Sequence, residues 1–369
     1  MAHRGPVLVV NAGSTSAKLS VVDDLGGVAW SHETGAGDDA MTAALADAGA
    51  RRALDGVVAV GHRIVHGGDR FVAPVVVDDP VLAELDALGD LAPLHNAAGL
   101  AGIRTARARL PGVPHVACFD TAFHATMPDA ARAFGGPYEW LTAGLRRYGF
   151  HGFSHAYAAG RAAHMLRRDE VDLRLVTCHL GGGCSLAAID GGRSVDTTMG
   201  FTPVDGLVMG TRAGSVDAGL LVHLLRHGTT VDALSDLLER RSGLLGLSGV
   251  SGDLREVLAA RDAGDERAGL AVDVFVHRLV AGIGAMAAVL GGVDAIVFTG
   301  GIGEHCAEVR TRAAAACSWL GTTLDDDANR SVAGDADVSA PAARVRVLVV
   351  TAREDLAIAA AARRALAST

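Results

Sequence analysis

The chain has 369 residues, of which half are hydrophobic and only 4% aromatic, and its formal net charge is −9. This length predicts two domains rather than one. The acidic balance and the scarcity of aromatic rings exclude nucleic acid as a bulk partner, because phosphate backbones attract clustered Lys and Arg and bases stack on aromatic rings.

The N-terminal segment MAHRGPVLVV leads directly into a strand-like run and lacks the pattern of a signal peptide. A charge or a glycine interrupts each long apolar stretch before it reaches the roughly 20 residues of a membrane span. The five cysteines are scattered and odd in number, which is typical of reduced thiols in the cytosol. We therefore expect a cytoplasmic protein that does not contact a membrane.

Two segments are predicted to be copies of one hairpin, PVLVVNAGSTSAKLSVVD at 6–23 and LVTCHLGGGCSLAAID at 175–190. In each, a short apolar strand, a turn of small residues and a second strand follow one another, and a third strand is predicted at 28–33 and at 192–197. Further buried strands are predicted in each half, at 57–60, 115–119, 295–299 and 345–350. The pattern indicates an α/β fold made by duplication. A chance likeness of two hairpins is the alternative.

Three helices are predicted with clear boundaries. The first spans 154–168 with Ser154 as its cap, the second spans 265–290 with interruptions at Gly282 and Gly284, and the last spans 354–367. No stretch rich in Pro, Ser or charge separates the halves. We therefore expect two domains that meet closely, with a ligand cleft between them.

Small-residue turns follow three predicted strands, at 11–18, 179–185 and 299–304. Such turns present backbone amides to an anion, most strongly where a helix begins. The first turn, GSTSAK, lacks the spacing of a Walker-type loop. Each turn alone is compatible with an ordinary tight turn, but three on matching elements predict a phosphate site.

Arginine and histidine occur together in several short segments. GHRIVHGG at 61–68, FDTAFH at 119–124 and RRYGFHGFSH at 146–155 are the densest, and Arg212 follows another glycine. Arginine suits planar recognition of carboxylate and phosphate, and a nearby histidine can stabilise a phosphoryl group in transfer. For an isolated arginine, a surface ion pair is the alternative.

With these motifs the chain resembles the acetate kinase family, within the superfamily of sugar kinases, actin and heat-shock chaperone ATPases. The resemblance covers essentially the whole length, and its motifs occur in family order: NAGSTSAK, GHRIVHGG, PLHN, FDTAFH, RRYGFHGFSH, HLGGGCS, MGFTPVDGLVMGTR, RSGLLGLSGVSGDLR, FTGGIGE and TAREDLA.

The resemblance implies a duplicated actin-like ATPase (ribonuclease H-like) fold. Residues 1–124 and 356–369 would form the N-terminal domain, and residues 125–355 a C-terminal domain for nucleotide binding and dimerisation. It also implies reversible in-line phosphoryl transfer from ATP to acetate, giving ADP and acetyl phosphate, with Mg²⁺ or Mn²⁺ as cofactor. The protein would be a homodimer.

The same resemblance implies roles for individual residues. The catalytic residues would be Asn11, Arg63, Asp120, His151 and Arg212. His151, with His95, and Arg212 would stabilise the transition state. Asn11 and Glu354 would hold the metal. The acetate pocket would be formed by Arg63, Val65, Leu94, Phe150 and Pro203. Nucleotide contacts would come from Lys18, His179, Gly181, Gly182, Gly183, Asp253, Leu254, Arg255, Gly301, Ile302 and Gly303.

Four positions depart from the family pattern, which has asparagine where this chain has Gly182 and His305, and serine and aspartate where it has Ala213 and Ser215. They bear on the phosphoryl donor and the rate more than on the class of reaction. Three alternatives stay open: a propionate or butyrate kinase, an enzyme using another donor such as pyrophosphate, and an ATP-binding module without catalysis. Such a module would have no use for the set of Arg63, His151 and Arg212.

Overall fold

The computed structural model describes residues 5–13, 16–88 and 93–367, and for residues 93–95 it describes the backbone only. The chain divides into two compact units. Unit 1 runs up to Ala125 and resumes at Arg353, and unit 2 is Thr126–Ala352. The assignment of nucleotide binding and dimerisation to the second half stays a prediction.

The strands of the described residues are β1 (Val7–Ala12), β2 (Ser16–Val22), β3 (Val28–Gly35), β4 (Ala59–Ile64), β5 (Val75–Val76), β6 (His115–Phe119), β7 (Arg174–Leu180), β8 (Cys184–Asp190), β9 (Arg193–Thr197), β10 (Ala295–Thr299), β11 (Ala336–Asp337) and β12 (Arg346–Val349).

The helices are α1 (Asp38–Ala50), α2 (Asp79–Ala87), α3 (Pro93–Arg109), α4 (Asp129–Arg132), α5 (Tyr138–Thr142), α6 (Gly152–Leu166), α7 (Ala218–Arg226), α8 (Val231–Arg240), α9 (Gly243–Ser248), α10 (Leu254–Asp262), α11 (Glu266–Val289), α12 (Gly300–His305), α13 (Ala307–Ala316), α14 (Asp326–Arg330) and α15 (Glu354–Ala367). Short 3₁₀ turns occur at Ala122–Thr126, Glu170–Asp172 and Ser318–Leu320.

Each unit contains a mixed sheet of the same topology. The strand order is β3-β2-β1-β4-β6-β5 in unit 1 and, read in the matching direction, β9-β8-β7-β10-β12-β11 in unit 2. In both sheets the first three strands of the unit pair antiparallel, the next two add on parallel, and the short edge strand is antiparallel. The predicted duplicated actin-like fold, including the paired hairpins, is therefore confirmed.

The central strands are buried on both faces, as expected for strands covered by helices. In unit 1, α1 and α3 contact β3, β1 and β4, while α15 packs on β1, β4 and β6. A glycine permits the close approach of α15: a Cβ built on Gly61 would lie 3.0 Å from a methyl of Ile358. In unit 2, α6 and α11 both contact β7.

The structure corrects the sequence predictions for β4, α6 and α11. β4 begins at Ala59 and continues to Ile64, because its parallel pairing with β1 and β6 extends through His62. α6 begins at Gly152, and its N-cap is His151, whose φ of 59° places it in the left-handed region, while Ser154 lies inside the first turn. α11 is continuous through Gly282 and Gly284, and Gly282 allows close packing on β8, since a Cβ there would lie 2.7 Å from a methyl of Leu186.

Among the described residues, one helix, α11, is long and apolar enough to cross a membrane by length and composition alone. Its N-terminus is capped by Asp265, whose carboxylate accepts hydrogen bonds from the amides of Arg267 and Ala268. One face of the helix, including Phe275 and Leu279, is buried inside unit 2. α11 is therefore a core helix of that unit.

Two buried histidines lie side by side on β4 and β6. His62 Nε2 is 2.9 Å from His115 Nδ1, and His115 Nε2 is 3.2 Å from the carbonyl oxygen of Leu110. His62 Nδ1 is buried and has no hydrogen-bond partner among the described residues. Burial, reinforced by the charge of His115, keeps the pKa of His62 well below its usual value. Burial likewise lowers the pKa of His115, with a further contribution from Arg107.

We expect this pair to make the protein less stable in acid. Because the pKa of each histidine is lower in the folded state than in the unfolded state, the unfolded state binds more protons below about pH 6.5, and the free energy of unfolding should fall as the pH falls through that value. For His62 alone the loss between about pH 7.5 and 5.5 should be about 1 kcal/mol. Urea unfolding measured across this range checks the expectation.

The matched pair of variants is His62→Gln, which keeps a donor but does not titrate, and His277→Gln, which removes an exposed histidine of α11. The first should flatten the pH dependence of the urea midpoint, and the second should leave it unchanged. Equal pH dependence in His62→Gln and the parent would contradict the prediction.

Candidate active site

In unit 1, three polar side chains meet where parallel strands end. Asn11 and Arg63 are neighbours across β1 and β4, because Val10 pairs with His62, and Asp120 directly follows β6. Arg63 Nε donates to Asp120 Oδ1 at 3.1 Å and to Oδ2 at 3.0 Å, and Arg63 Nη2 donates to Oδ2 as well. Arg63 Nη1 donates to Asn11 Oδ1 at 3.1 Å. The guanidinium is thus held on two sides.

This ion pair is largely removed from water. The side chain of Asp120 is 1% exposed and that of Arg63 is 18% exposed. Burial alone would lower the pKa of Arg63, but the charges of Asp120 and Glu354 outweigh it and raise that pKa above its usual value. Such a pair is stable because its geometry is bidentate, and loss of one partner would strand a buried charge. The site therefore keeps one fixed cation.

Glu354 joins this cluster from the first turn of α15. Asn11 Nδ2 donates to Glu354 Oε2 at 3.3 Å. Carboxylate and amide oxygens are the ligands that Mg²⁺ prefers, and Mg²⁺ takes only one or two carboxylates when phosphate oxygens and water complete its shell. Within the described residues, no group of three or more His, Cys, Asp or Glu side chains could hold a metal by itself. The residues present therefore fit a metal ion that arrives with phosphate.

Lys18 lies beside the same cluster. It pairs with Asn11 across β1 and β2, so the two side chains leave the same face of the sheet. The Lys18 side chain is exposed, and Lys18 is the only lysine in the sequence. Every other Lys or Arg position of the sequence is arginine. Position 18 is therefore unusual by its residue type alone.

In unit 2, His151, His179 and Arg212 gather around a glycine turn. The rings of His151 and His179 stack with their centroids 4.2 Å apart. A Cβ built on Gly183 would lie 3.3 Å from His151 Nε2 and 3.5 Å from Arg212 Nη1. Arg212 Nη1 also donates to the carbonyl oxygen of Pro203 at 2.9 Å. Burial lowers the pKa of Arg212, yet a guanidinium remains charged in proteins.

A cavity of about 650 Å³ lies in unit 2 next to the glycine turns. It is lined by Gly181, Gly182, Gly252, Asp253, Leu254, Arg255, Leu258, Gly301, Ile302, His305 and Cys306. Seven predicted nucleotide residues are in this lining. Gly303 instead packs against the strands, since a Cβ there would be 3.4 Å from the Phe298 carbonyl carbon. Leu258, which lies one helical turn after Leu254 on α10, was not predicted.

Two glycines join the loops around this cavity. A Cβ on Gly210 would lie 2.8 Å from the carbonyl oxygen of Gly252, and one on Gly252 would lie 3.1 Å from that of Gly210. The amide of Gly210 donates to the Gly182 carbonyl oxygen at 3.3 Å. By contrast, a Cβ on Gly182 would meet nothing within 4 Å. The space that an asparagine would fill there is open.

The residues predicted to contact a substrate methyl are divided between the units. Val65 follows β4 in unit 1 and is buried, whereas Phe150, also buried, and Pro203 belong to unit 2. The side chains of Leu94 and His95 lie outside the described residues. Arg310 is buried and donates to the carbonyl oxygens of Gly303 and Glu304. It stabilises the end of α12.

The chain has extensive similarity to known proteins. Residues 28–360 match the Acetokinase family. The chain is 55% identical over 302 residues to the acetate kinase of Gloeobacter violaceus, an alignment that covers 81% of this chain and 75% of that protein.

Solved structures are similar along the whole fold. The acetate kinase of Porphyromonas gingivalis has a TM-score of 0.89 at 36% identity, covering 98% of this chain and all of that chain (100%). A propionate kinase from Francisella tularensis has a TM-score of 0.91 at 33% identity, covering 98% and 99%. With a family match over most of its length and a relative identical at more than half of the aligned positions, this chain belongs to the acetokinase family.

Proposed function

We propose that the protein phosphorylates acetate, with ATP + acetate ⇌ ADP + acetyl phosphate as its reversible reaction. The observation that carries the proposal is the Arg63 guanidinium, fixed by Asp120 and Asn11 at the end of β4. A second cation, Arg212, lies beside His151 in unit 2. The names of the similar enzymes point to the same reaction.

Charge neutralisation and alignment are the main demands of this chemistry. A carboxylate is ionised near neutral pH, so it attacks without help from a strong base. We propose that an acetate oxygen forms a bond to the γ-phosphorus while the bond to the β–γ bridging oxygen breaks and ADP leaves. Arg63 and Arg212 would neutralise the reactants, and His151 would donate a hydrogen bond to the phosphoryl group in transfer.

Asp120 would act through Arg63. Both carboxylate oxygens of Asp120 accept hydrogen bonds from that guanidinium, and a bare carboxylate next to acetate would repel it. We therefore propose that Asp120 places Arg63, which in turn orients the acetate.

The nucleotide would occupy the cavity of unit 2. Its volume of about 650 Å³ falls in the range of small-molecule sites. The turns at Gly181–Gly183 and Gly301–Gly303 would face the phosphates with backbone amides, with His179 beside them. Asp253, Leu254 and Arg255 would border the adenosine. Lys18 would contact the phosphates.

The metal would be Mg²⁺ or Mn²⁺, held by Glu354 and Asn11 together with the nucleotide. When bound, it would neutralise phosphate oxygens. The chain itself holds the amide group of Asn11 and the carboxylate of Glu354 close together near Arg63, through the hydrogen bond from Asn11 Nδ2 to Glu354 Oε2.

A propionate or butyrate kinase is the second candidate, since one structural relative is a propionate kinase. Val65, Leu94, Phe150 and Pro203 would form the apolar pocket for the methyl group. One methylene changes the binding free energy in such a pocket by only about 1–3 kcal/mol. Acetate is therefore the first candidate substrate and propionate the second.

We also propose a cytoplasmic homodimer. No residue of α7 is buried, and its Leu220, Val222 and Leu225 are exposed, as expected for a helix that meets a second copy. The cysteines are free thiols, which suits a reducing compartment.

Trapping with hydroxylamine tests the function directly. With ATP and Mg²⁺, we expect acetate to give acetyl hydroxamate at a higher kcat/KM than propionate, and butyrate to be slowest. Chelation of the divalent metal should abolish the product. Faster reaction with propionate would select the second candidate, and no hydroxamate with any of the three acids would reject a carboxylate kinase altogether.

Loss of either arginine should slow the reaction about 100–1000-fold in kcat, by analogy with other transition-state donors. The variants are Arg63→Ala and Arg212→Ala. Matched controls remove exposed arginines that form surface pairs: Arg70→Ala, partner of Glu84, and Arg330→Ala, partner of Asp327.

The controls should stay within about twofold of the parent, because surface pairs contribute little. Thermal unfolding of Arg63→Ala must be followed in parallel, since the buried Asp120 carboxylate loses the hydrogen bonds from Arg63 there. A near-normal kcat for folded Arg63→Ala or Arg212→Ala would contradict the assigned roles.

Lys18 offers a chemical test because it is the only lysine. We expect MgATP to slow the acylation of Lys18 severalfold, since phosphate contact would cover the amine. Adenosine, which lacks phosphates, should not protect it. Peptide mapping separates Lys18 from the terminal amine, which serves as the internal control. Equal labelling rates with and without MgATP would place Lys18 away from the nucleotide.

A further inference from the structure

Buried hydroxyl groups contact the histidines of unit 2. Ser185 Oγ lies between two rings, 2.9 Å from His151 Nδ1 and 2.8 Å from His155 Nε2. Thr177 Oγ1 is 2.7 Å from His155 Nδ1. The side chains of Thr177, Ser185 and His155 are fully buried. The four residues form one chain of hydrogen bonds that runs from β7 to the start of α6.

The proton positions in this chain follow from its inner end. A threonine hydroxyl has one proton to donate. Within the described residues, the only hydrogen-bond partner of the fully buried Thr177 hydroxyl is His155 Nδ1. An unmade bond from a buried donor is costly. Thr177 therefore donates to Nδ1, and His155 carries its proton on Nε2.

The same reasoning passes outward. His155 Nε2 donates to Ser185 Oγ, so the hydroxyl proton of Ser185 is left for its other neighbour, His151 Nδ1. His151 Nδ1 therefore accepts, and the neutral ring carries its proton on Nε2. A cationic His151 would donate from Nδ1 to Ser185 Oγ, and this would leave a buried hydroxyl proton without an acceptor, either that of Ser185 or, if every bond of the chain reversed, that of Thr177.

His179 is set by a separate hydroxyl. Ser154 Oγ lies 2.7 Å from His179 Nδ1, its only hydrogen-bond partner within the described part of the chain, and Ser154 is 1% exposed. Ser154 therefore donates to Nδ1, and His179 also carries its proton on Nε2. Two neutral rings can stack as closely as 4.2 Å, whereas two imidazolium ions would repel each other.

We propose that three buried hydroxyls set the proton positions of the histidine pair, His151 and His179, so that both rings are neutral imidazoles with the proton on Nε2. The positioning residues are then Thr177, Ser185 and Ser154. His155 links two of them, because it accepts a hydrogen bond from Thr177 and donates one to Ser185. The use of the two N–H groups as donors to phosphoryl oxygens rests on the proposed function. Donors fixed in advance need no reorganisation during transfer, and positive charge is left to the arginines and the metal.

The proton positions are measurable without any assay of activity. In protein labelled with ¹⁵N-histidine, two-bond and three-bond ¹H–¹⁵N correlations distinguish the two neutral tautomers and the cation. His151→Gln and His179→Gln assign the signals. Near neutral pH we expect both rings as neutral Nε2–H tautomers. An Nδ1–H tautomer or an imidazolium at either ring would overturn the proposal.

Variants test whether the hydroxyls cause this state. In Ser185→Ala, the His151 signal should change to mixed tautomers or a cation while His179 is unchanged. kcat should fall about tenfold or more through misplacement of the donor, with the KM values for ATP and acetate retained. The matched control Ser248→Ala removes a buried hydroxyl of α9 that bonds only the Leu244 carbonyl and the Val250 amide among the described residues, and it should alter neither signal nor kcat.

Thr177 supplies a conservative comparison. Thr177→Val removes the hydroxyl without changing the shape and should loosen the His151 tautomer, whereas Thr177→Ser should restore it. An unchanged Nε2–H signal and kcat in both Ser185→Ala and Thr177→Val would overturn the proposal. The expected tautomers in a protein that forms no acyl phosphate would leave the hydroxyl order standing and reject only the function.

Discussion

The parallel pairing of β1, β4 and β6 is the constraint on which the unit 1 site depends. Strands that run in the same direction end at the same edge of a sheet, and at this edge the chain has Asn11, Arg63 and Asp120. A guanidinium can lie there, largely removed from water, because a bidentate carboxylate matches its charge and shape. The pairing of the strands thus determines the position of the Arg63 guanidinium, and Asp120, Asn11 and Glu354 lie around it.

The two units use different electrostatics on the same topology. Unit 1 offers a charged cluster of Arg63, Asp120 and Glu354. Unit 2 offers a stacked pair of imidazoles ordered by hydroxyls, with Arg212 beside them. Phosphoryl transfer benefits from both kinds of group, since full charges neutralise the reactants and directed N–H bonds select one geometry of the moving oxygens. Duplication supplied equivalent strand ends that later sequence change made chemically distinct.

The sequence predicted the repeated hairpins and most of the buried strands because alternating apolar runs and small-residue turns are local signals. It also predicted most of the residues that line the cavity of unit 2. The start of α6 was missed because the left-handed backbone of His151 is not a property of any sequence pattern. The bond between Arg63 and Asp120 spans 57 residues and depends on strand register. The order of hydroxyl protons depends on which groups are buried together, so it too emerges only from the folded chain.

The contact between Gly210 and Gly252 has a consequence for ligands. These two backbones touch without side chains between them, and the first lies two residues before Arg212 while the second lies one residue before Asp253. A compound that wedges into the cavity at Gly252 cannot displace that loop without pressing on the loop of Arg212. A molecule that fills this part of the cavity would therefore press on the loop of Arg212 without touching Arg212 itself.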